Sequence, residues 1–246
     1  MKRKKITLKR ILKIITGVVI FFTLPSILFF GVIYLKYNEP LPRGIQNAAA
    51  DQLATFMLDA LNYEAYKNTD YLEWTFTGRH HYQWNKSKGK CEVSWKQIKV
   101  VLDFNHPKNS KVYVADQLYN GMEKEDYIKR ATDYFNNDSF WLVAPYKVFD
   151  KDTERLVVKN EDGSNSLLVT YTQGGTTPGD SYLWHFDKSG KPKSYQMWVD
   201  ILPIGGLEAT WNQWITTESG AILPSKHDLF FLEIDMGEVR GKKMSP

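Results

Sequence analysis

The chain has 246 residues, a single cysteine and a formal net charge of +4 at pH 7. The lone Cys91 excludes an intrachain disulfide scaffold, and its position excludes a lipid-modified N-terminal cysteine. The charge is uneven, because residues 1–43 hold nine Lys/Arg and one acid, while the remainder holds 23 basic and 27 acidic residues. A slightly acidic folded part is not expected to bind nucleic acid, which requires a basic face.

The N-terminal region predicts a membrane anchor. After a basic tail at 1–13, residues 14–35 form a run of 22 residues without a charge, and a helix of that length crosses about 30 Å of hydrocarbon. A cleaved secretory signal is the alternative, but its apolar run is shorter and a small-residue cleavage site follows it. The nearest small residues, Ala48–Ala50, lie inside a helical pattern. We therefore expect an uncleaved, single-pass signal anchor.

The flanking charges predict the orientation of this anchor. Seven Lys/Arg precede the span, and Lys36 is the only basic residue directly after it. The positive-inside rule then predicts a protein of the cell (inner) membrane whose N-terminus lies in the cytoplasm. Residues 36–44, stiffened by Pro40 and Pro42, are expected to be a short linker. It would hold an extracytoplasmic or periplasmic domain, residues 45–246, close to the bilayer.

The hydrophobic period predicts two helices and many strands in that domain. An amphipathic helix is expected at 45–66, and a second helix at 122–136 that ends at Asn136-Asn137-Asp138. From Tyr71 to Asn85 the period is two, which predicts either one long strand bent at Gly78 or two short strands. Further strands are predicted at 90–95, 97–104, 111–115, 154–159, 166–172, 181–187, 193–201, 207–215 and 227–239.

This order of elements predicts an α+β fold that is mainly antiparallel β. After the transmembrane helix, one large curved sheet would form a half-barrel packed on helices. The N-terminal helix, about eleven strands and the mid-chain helix over residues 45–240 resemble the LolA/LolB-like lipoprotein-carrier half-barrels. The alternation from Trp74 to Trp84 is similar to the early strands of that family. The resemblance implies a hydrophobic cavity, covered by helices, that holds acyl chains.

Two features limit what the resemblance transfers. No motif is specific enough to assign a functional residue, and the anchor differs from a family whose members are soluble or held by an N-terminal lipid. A domain on a short linker would handle lipid locally and not as a free carrier. Three segments, 137–141, 174–182 and 201–206, also resemble membrane-anchored bacterial proteins of unknown function.

Motifs for catalysis and metal binding are missing from the sequence. There is no HExxH, no Cys/His metal spacing, no GxSxG elbow and no signature around Cys91. We therefore predict no enzyme activity, no catalytic residue, no metal and no cofactor. A hydrolase that pairs Asp180 with His185 or another histidine is the least favoured alternative. The histidines are His80, His81, His106, His185 and His227.

The aromatic side chains are the candidate ligand-binding residues. Pockets for apolar ligands are largely apolar, although a packed core is the other interpretation of the same residues. The sequence therefore predicts non-catalytic binding of a lipid, acyl chain or other hydrophobic ligand in envelope maintenance. The alternative is a structural or interaction module with an unidentified protein partner. The candidate ligand-binding residues are Trp141, Tyr182, Trp184, Trp198 and Trp211.

Overall fold

The computed structural model describes residues 8–173 and 178–244. Three parts of the predictions lie outside the described residues. These are residues 1–7 of the predicted cytoplasmic tail, residues 174–177 of the segment 174–182, and the last two residues of the predicted domain.

The first helix, α1, runs from Leu8 to Tyr37. Its apolar part, Leu12–Tyr37, is not buried against the rest of the chain. Among the described helices, α1 is the one that is long and apolar enough to cross a membrane. The hydroxyl of Thr23 donates a hydrogen bond to the carbonyl of Val19 four residues earlier, which satisfies this polar group within the helix, as an apolar environment demands. The helix is therefore compatible with a single-pass membrane anchor.

The remaining described elements are three helices, two short 3-10 helices and fifteen strands. The helices are α2 Ala48–Ala60, α3 Tyr63–Lys67 and α4 Lys124–Val143, and the 3-10 helices are Pro107–Asn109 and Ala144–Lys147. The strands are β1 Tyr71–Phe76, β2 His80–Asn85, β3 Lys90–Trp95, β4 Ile98–Asp103, β5 Lys111–Val114, β6 Gln117–Tyr119, β7 Thr153–Lys159, β8 Asn165–Tyr171, β9 Ser181–Phe186, β10 Pro192–Trp198, β11 Leu207–Thr210, β12 Gln213–Thr216, β13 Ile222–Leu229, β14 Leu232–Asp235 and β15 Arg240–Lys242.

These strands form two antiparallel sheets. The first has the order β15-β1-β2-β3-β4-β5-β6, and the second has the order β12-β13-β11-β10-β9-β8-β7, with β14 paired to β13. A mainly antiparallel fold with one N-terminal apolar helix is thus confirmed. The structure differs from the single large sheet that the sequence predicted, and neither sheet closes into a barrel among the described strands. The first sheet is completed by the C-terminus, because Leu72 of β1 pairs with Gly241 of β15.

Residues with left-handed backbone conformation divide two predicted elements. One was predicted as a continuous helix, and the other as either one strand or two. The helix predicted at 45–66 becomes α2 and α3 because Asn62 between them has φ +53°. Of the two alternatives for residues 71–85, the structure has the two short strands. They are joined by residues 77–79, where Thr77 and Gly78 both have positive φ. The amide of Arg79 donates to the carbonyl of Phe76 at 3.0 Å, which closes a tight turn. The strands predicted at 207–215 and 227–239 also each divide into two.

The predicted end of the second helix at 136–138 is wrong. Helix α4 continues to Val143. Asp138 is buried, and its Oδ2 accepts a hydrogen bond from the Tyr82 hydroxyl at 2.6 Å and lies 2.7 Å from His80 Nδ1. Asn and Asp disfavour helices chiefly because their side chains compete for backbone hydrogen bonds. Here the first sheet supplies partners for Asp138, so the side chain does not interrupt the helix.

Helix α4 contacts aromatic residues of both sheets. Near its middle, the ring of Phe135 meets Trp84 of β2 edge-on, with centroids 5.1 Å apart. In its second half, Phe140 lies 4.7 Å from Tyr182 of β9. The residues beneath α4 therefore form one aromatic layer, to which both sheets contribute.

Candidate functional site

Three of the predicted ligand-binding residues lie together in the core of the second sheet. Trp184 of β9 is 5.0 Å from Trp211, ring centroid to ring centroid, and both side chains are fully buried. Tyr182 lies on the same face of β9, two residues earlier. All three rings surround Tyr195 of β10, at 5.0 to 5.4 Å. The sequence reasoning missed Tyr195, because only the register of β9 against β10 places it opposite Trp184.

Trp141 of α4 covers this cluster. Its ring is half-buried and lies 5.7 Å from Tyr195 and 5.3 Å from His227. The Nε2 of His227 is 2.8 Å from the carbonyl oxygen of Trp141, and Nδ1 is 2.8 Å from that of Thr210. Burial lowers the pKa of His227 to about 4, although the two carbonyls oppose that shift. The imidazole is therefore neutral at pH 7 and donates to one carbonyl at a time.

Trp198 lies apart from the other four residues. It packs beside Val158, Leu168 and Leu183, which form a small separate core cluster. Its indole Nε1 donates a hydrogen bond of 2.8 Å to the backbone oxygen of Glu39. The structure thus places this predicted ligand-binding residue against the linker that follows α1.

That linker is bound along the β domain. The amide of Glu39 donates to the carbonyl of Gly205 at 2.9 Å, and the amide of Gly205 donates to Asn38 Oδ1 at 2.9 Å. Farther along, Ile45 forms an isolated antiparallel bridge with Val157. A Cβ atom on Gly205 would lie 2.5 Å from the ring of Trp198, so this close approach of chain to chain requires glycine.

Three buried donors in the aromatic layer make no hydrogen bond with any described residue. They are the indole Nε1 atoms of Trp74 and Trp184 and the hydroxyl of Tyr171. Trp74 lies 6.4 Å from Phe135, and Tyr171 lies 5.5 Å from Phe140, so both adjoin α4. Leaving such a group buried and unpaired costs about 1–3 kcal/mol. Nearly all buried polar groups in proteins are paired, so these donors are exceptions within the described core.

The cluster of His80, Tyr82 and Asp138 is the closest arrangement to a catalytic pair. A histidine beside a carboxylate is common in acid–base catalysis. However, among the described residues no hydroxyl of serine or threonine and no thiol hydrogen-bonds to His80, whose ring stacks on Tyr134 at 3.9 Å. Burial and the Asp138 carboxylate raise the pKa of Tyr82, so its hydroxyl stays protonated and donates. The arrangement therefore fixes α4 to the first sheet.

The pair suggested for a hydrolase is not brought together. His185 contacts the hydroxyl of Ser166 at 2.8 Å and the side chain of Gln196 at 3.3 Å. Asp180 accepts a hydrogen bond from the amide of Asp200 at 3.2 Å. In the described part of the chain, no three His, Cys, Asp or Glu side chains are placed to hold one metal ion.

No family model matches this chain, and no curated protein matches it either. The resemblance to the LolA/LolB-like half-barrels therefore stays a prediction about fold and function.

Proposed function

We propose that this protein is a membrane-anchored, non-catalytic domain that binds an amphipathic, lipid-like molecule in the aromatic layer beneath α4. The unpaired donors of Trp184, Tyr171 and Trp74 carry this proposal. The apolar part of the ligand packs against the rings, and an ester, carboxylate or phosphate oxygen accepts from the indole N–H groups. Sites of this kind combine an apolar lining with a few fixed polar groups.

The resemblance gives this site its proposed architecture. The two sheets act as the curved wall of a half-barrel, and α4 acts as its cover. The second half of α4 covers the cluster through Phe140 and Trp141, and Trp141 is tied to the second sheet by its carbonyl contact with His227. Ligand entry then requires the end of α4 after Asp138, residues 139–143, to move away from β13, while Asp138 keeps the rest of the helix attached to the first sheet.

The anchor sets where this binding takes place. The charge pattern around the span supports an extracytoplasmic domain, and the bound linker supports a domain that stays at the membrane surface. The ligand is then exchanged with the adjacent bilayer and not carried across a compartment. This is the reason for proposing a role in envelope maintenance.

Native mass spectrometry of the full chain released from lipid nanodiscs tests the proposal. We expect one or two lipid masses that stay bound after the annular lipids have been removed by collisional activation. The mass of the retained species identifies the ligand class. Release of all lipid at the lowest activation that frees the protein would overturn lipid binding in the aromatic layer.

The bound linker also favours a second function, that of a structural or interaction module. The hydrogen bonds of residues 38 and 39 to Gly205 hold the domain in one orientation relative to α1. A module that presents a surface to another membrane protein benefits from such a fixed orientation. Cross-linking in cells distinguishes the two functions, because a single defined protein partner together with no retained lipid supports the module.

A further inference from the structure

An exposed aromatic turn connects the last two strands of the second sheet. Strands β13 and β14 form a hairpin in which Leu229 pairs with Leu232, so Phe230 and Phe231 form its two-residue turn. Phe231 is 82% exposed and Phe230 is 54% exposed, and Leu232 is exposed as well. Three consecutive large apolar side chains at an exposed tip are unusual for a surface that meets only water.

The backbone of this turn is also unfavourable for the residues it contains. Two-residue hairpin turns need positive φ and therefore favour Gly, Asn or Asp. Phe230 has φ +58°, a conformation that is strained for a bulky side chain. Local folding thus argues against phenylalanine at this position, and the exposed rings add little to the core. Residues that break local rules in this way are concentrated at functional sites.

The tip lies at the end of α1. The ring of Phe230 meets the ring of Tyr37, the last residue of α1, edge-on with centroids 5.1 Å apart. The end of a membrane-spanning helix lies at the lipid–water interface, where aromatic side chains are favoured. The loop that binds residues 38 and 39 is at the same end of the domain and exposes Ile201.

The charged residues beside the tip indicate whether charge or apolar contact would attract it to lipid. Lys226 is paired with Glu233 at 2.7 Å, Asp228 lies shortly before the turn, and Lys36 lies over the ring of Tyr37 at 5.0 Å. The described residues beside the tip form no cluster of Lys or Arg, so attraction to anionic headgroups is not its basis. The attraction of the tip to lipid would then come from the insertion of its apolar side chains, and this attraction does not depend on salt.

We propose that the tip formed by Phe230, Phe231 and Leu232 inserts into the lipid leaflet that surrounds the Tyr37 end of α1. The β domain then contacts the bilayer at two places, the helix and the tip. This contact is independent of any ligand beneath α4. It fixes which side of the domain faces lipid.

The test uses the full chain in vesicles of phosphatidylcholine. Phe231→Cys carries an environment-sensitive fluorophore, and the native Cys91 stays unlabelled because it is buried and burial raises its pKa. Leu118→Cys is the matched control, since Leu118 is 56% exposed on β6. Leu118 is also far from the tip. The segment after β14 is hydrogen-bonded to β1, and β6 is five strands from β1 in the first sheet, a distance of about 24 Å.

We expect the label at 231 to emit at shorter wavelength than the label at 118. Lipids with a nitroxide near the headgroup should quench it several-fold more strongly, and high salt should not change the ratio. Equal quenching at the two positions would overturn the proposal. A shift to shorter wavelength without quenching by lipid would overturn it too, and would indicate a protein contact at the tip.

A second variant separates loss of insertion from loss of folding. Phe230→Asn with Phe231→Gly removes both rings and supplies the residues that a two-residue hairpin turn favours. A fluorophore at Asp228→Cys should be quenched by the nitroxide lipid in the otherwise native chain. The same label should lose most of that quenching in the variant, while the circular dichroism of the domain is unchanged. Quenching that persists without the rings would contradict insertion.

Discussion

The indole N–H of Trp198 and the backbone oxygen of Glu39 are joined by a hydrogen bond of 2.8 Å. This contact connects the last residue of β10 to the linker directly after α1, across 159 positions of sequence. A tryptophan that sequence patterning assigns to a ligand site therefore holds the domain to the segment that follows α1. The orientation of the domain depends on such contacts and not on the stiffness of the linker alone.

Replacing Trp198 with phenylalanine should release the linker. The variant loses one indole–carbonyl bond, which is worth about 0.5–1.5 kcal/mol, and residues 38–45 should become more sensitive to limited proteolysis. Trp214→Phe is the matched control, because Trp214 also donates to a backbone carbonyl, that of Pro192 at 3.3 Å. Equal cleavage rates between residues 38 and 45 in the two variants would contradict a role for Trp198 in binding the linker.

Replacing Trp184 with phenylalanine should separate ligand binding from stability. The change removes a buried N–H that has no described partner, which offsets part of the cost of the cavity that the smaller ring leaves. The free energy of unfolding of the ligand-free chain should therefore fall by less than is usual for a large-to-small change in a core. Retention of lipid in native mass spectrometry should fall. Trp214→Phe again serves as control, and there the unfolding free energy should fall by about 1 kcal/mol with lipid retention intact. A Trp184→Phe variant that retains lipid as the native chain does would contradict the proposed site.

Replacing Asp138 with alanine should detach α4 from the first sheet. It leaves the buried Tyr82 hydroxyl without its acceptor and His80 without its carboxylate. Removing the acceptor of a buried donor costs about 1–3 kcal/mol, and urea denaturation measures it. Asp133→Ala is the control on the exposed face of α4, where its pair with Lys129 contributes about 0.3–0.5 kcal/mol. Similar losses in the two variants would show that the buried contacts do not matter.

His227 should make the stability of the domain dependent on pH. Its pKa is lowered from 6.5 to about 4 in the folded chain, so the unfolded chain binds more protons below pH 6.5. Stability is then fully present above pH 6.5 and falls as the pH decreases toward 4. The loss amounts to roughly 3 kcal/mol at most.

Urea denaturation at several pH values checks the contribution of His227. His227→Gln should be less stable at pH 7 and should show a flatter dependence between pH 6.5 and 5, where most carboxylates remain ionised. His106→Gln, at an exposed position, should keep the slope of the native chain. A slope that is the same in all three proteins would contradict this assignment.

Much of the fold could be predicted because local pattern decides it. The period of two from Tyr71 to Asn85 predicted one bent strand or two short ones, and the positive φ of Thr77 and Gly78 in the structure makes them the two strands of a hairpin. The helix break predicted at Asp138 failed because its partners, His80 and Tyr82, come from a strand more than fifty residues earlier. Helix-breaking tendency is a local property, and a distant strand can cancel it.

The candidate site could be predicted only in part. Aromatic residues on one face of β9 indicated Tyr182 and Trp184 correctly as neighbours, because the alternation of a strand is visible in sequence. Neither Tyr195 nor the separate position of Trp198 was visible in that pattern. The unpaired state of the indole N–H groups was equally hidden, since it depends on every neighbour in the folded chain.

The sequence by itself determined the features that one segment of chain can carry. The uncharged run at 14–35 and the basic residues before it determine a helix compatible with a membrane anchor, since helix length and transfer energy add up residue by residue. Only the tertiary structure decided that the strands divide into two sheets beneath one continuous α4, and that the linker and the aromatic tip meet the end of α1. These features join residues far apart in the chain, whose pairing depends on the packing of the whole domain.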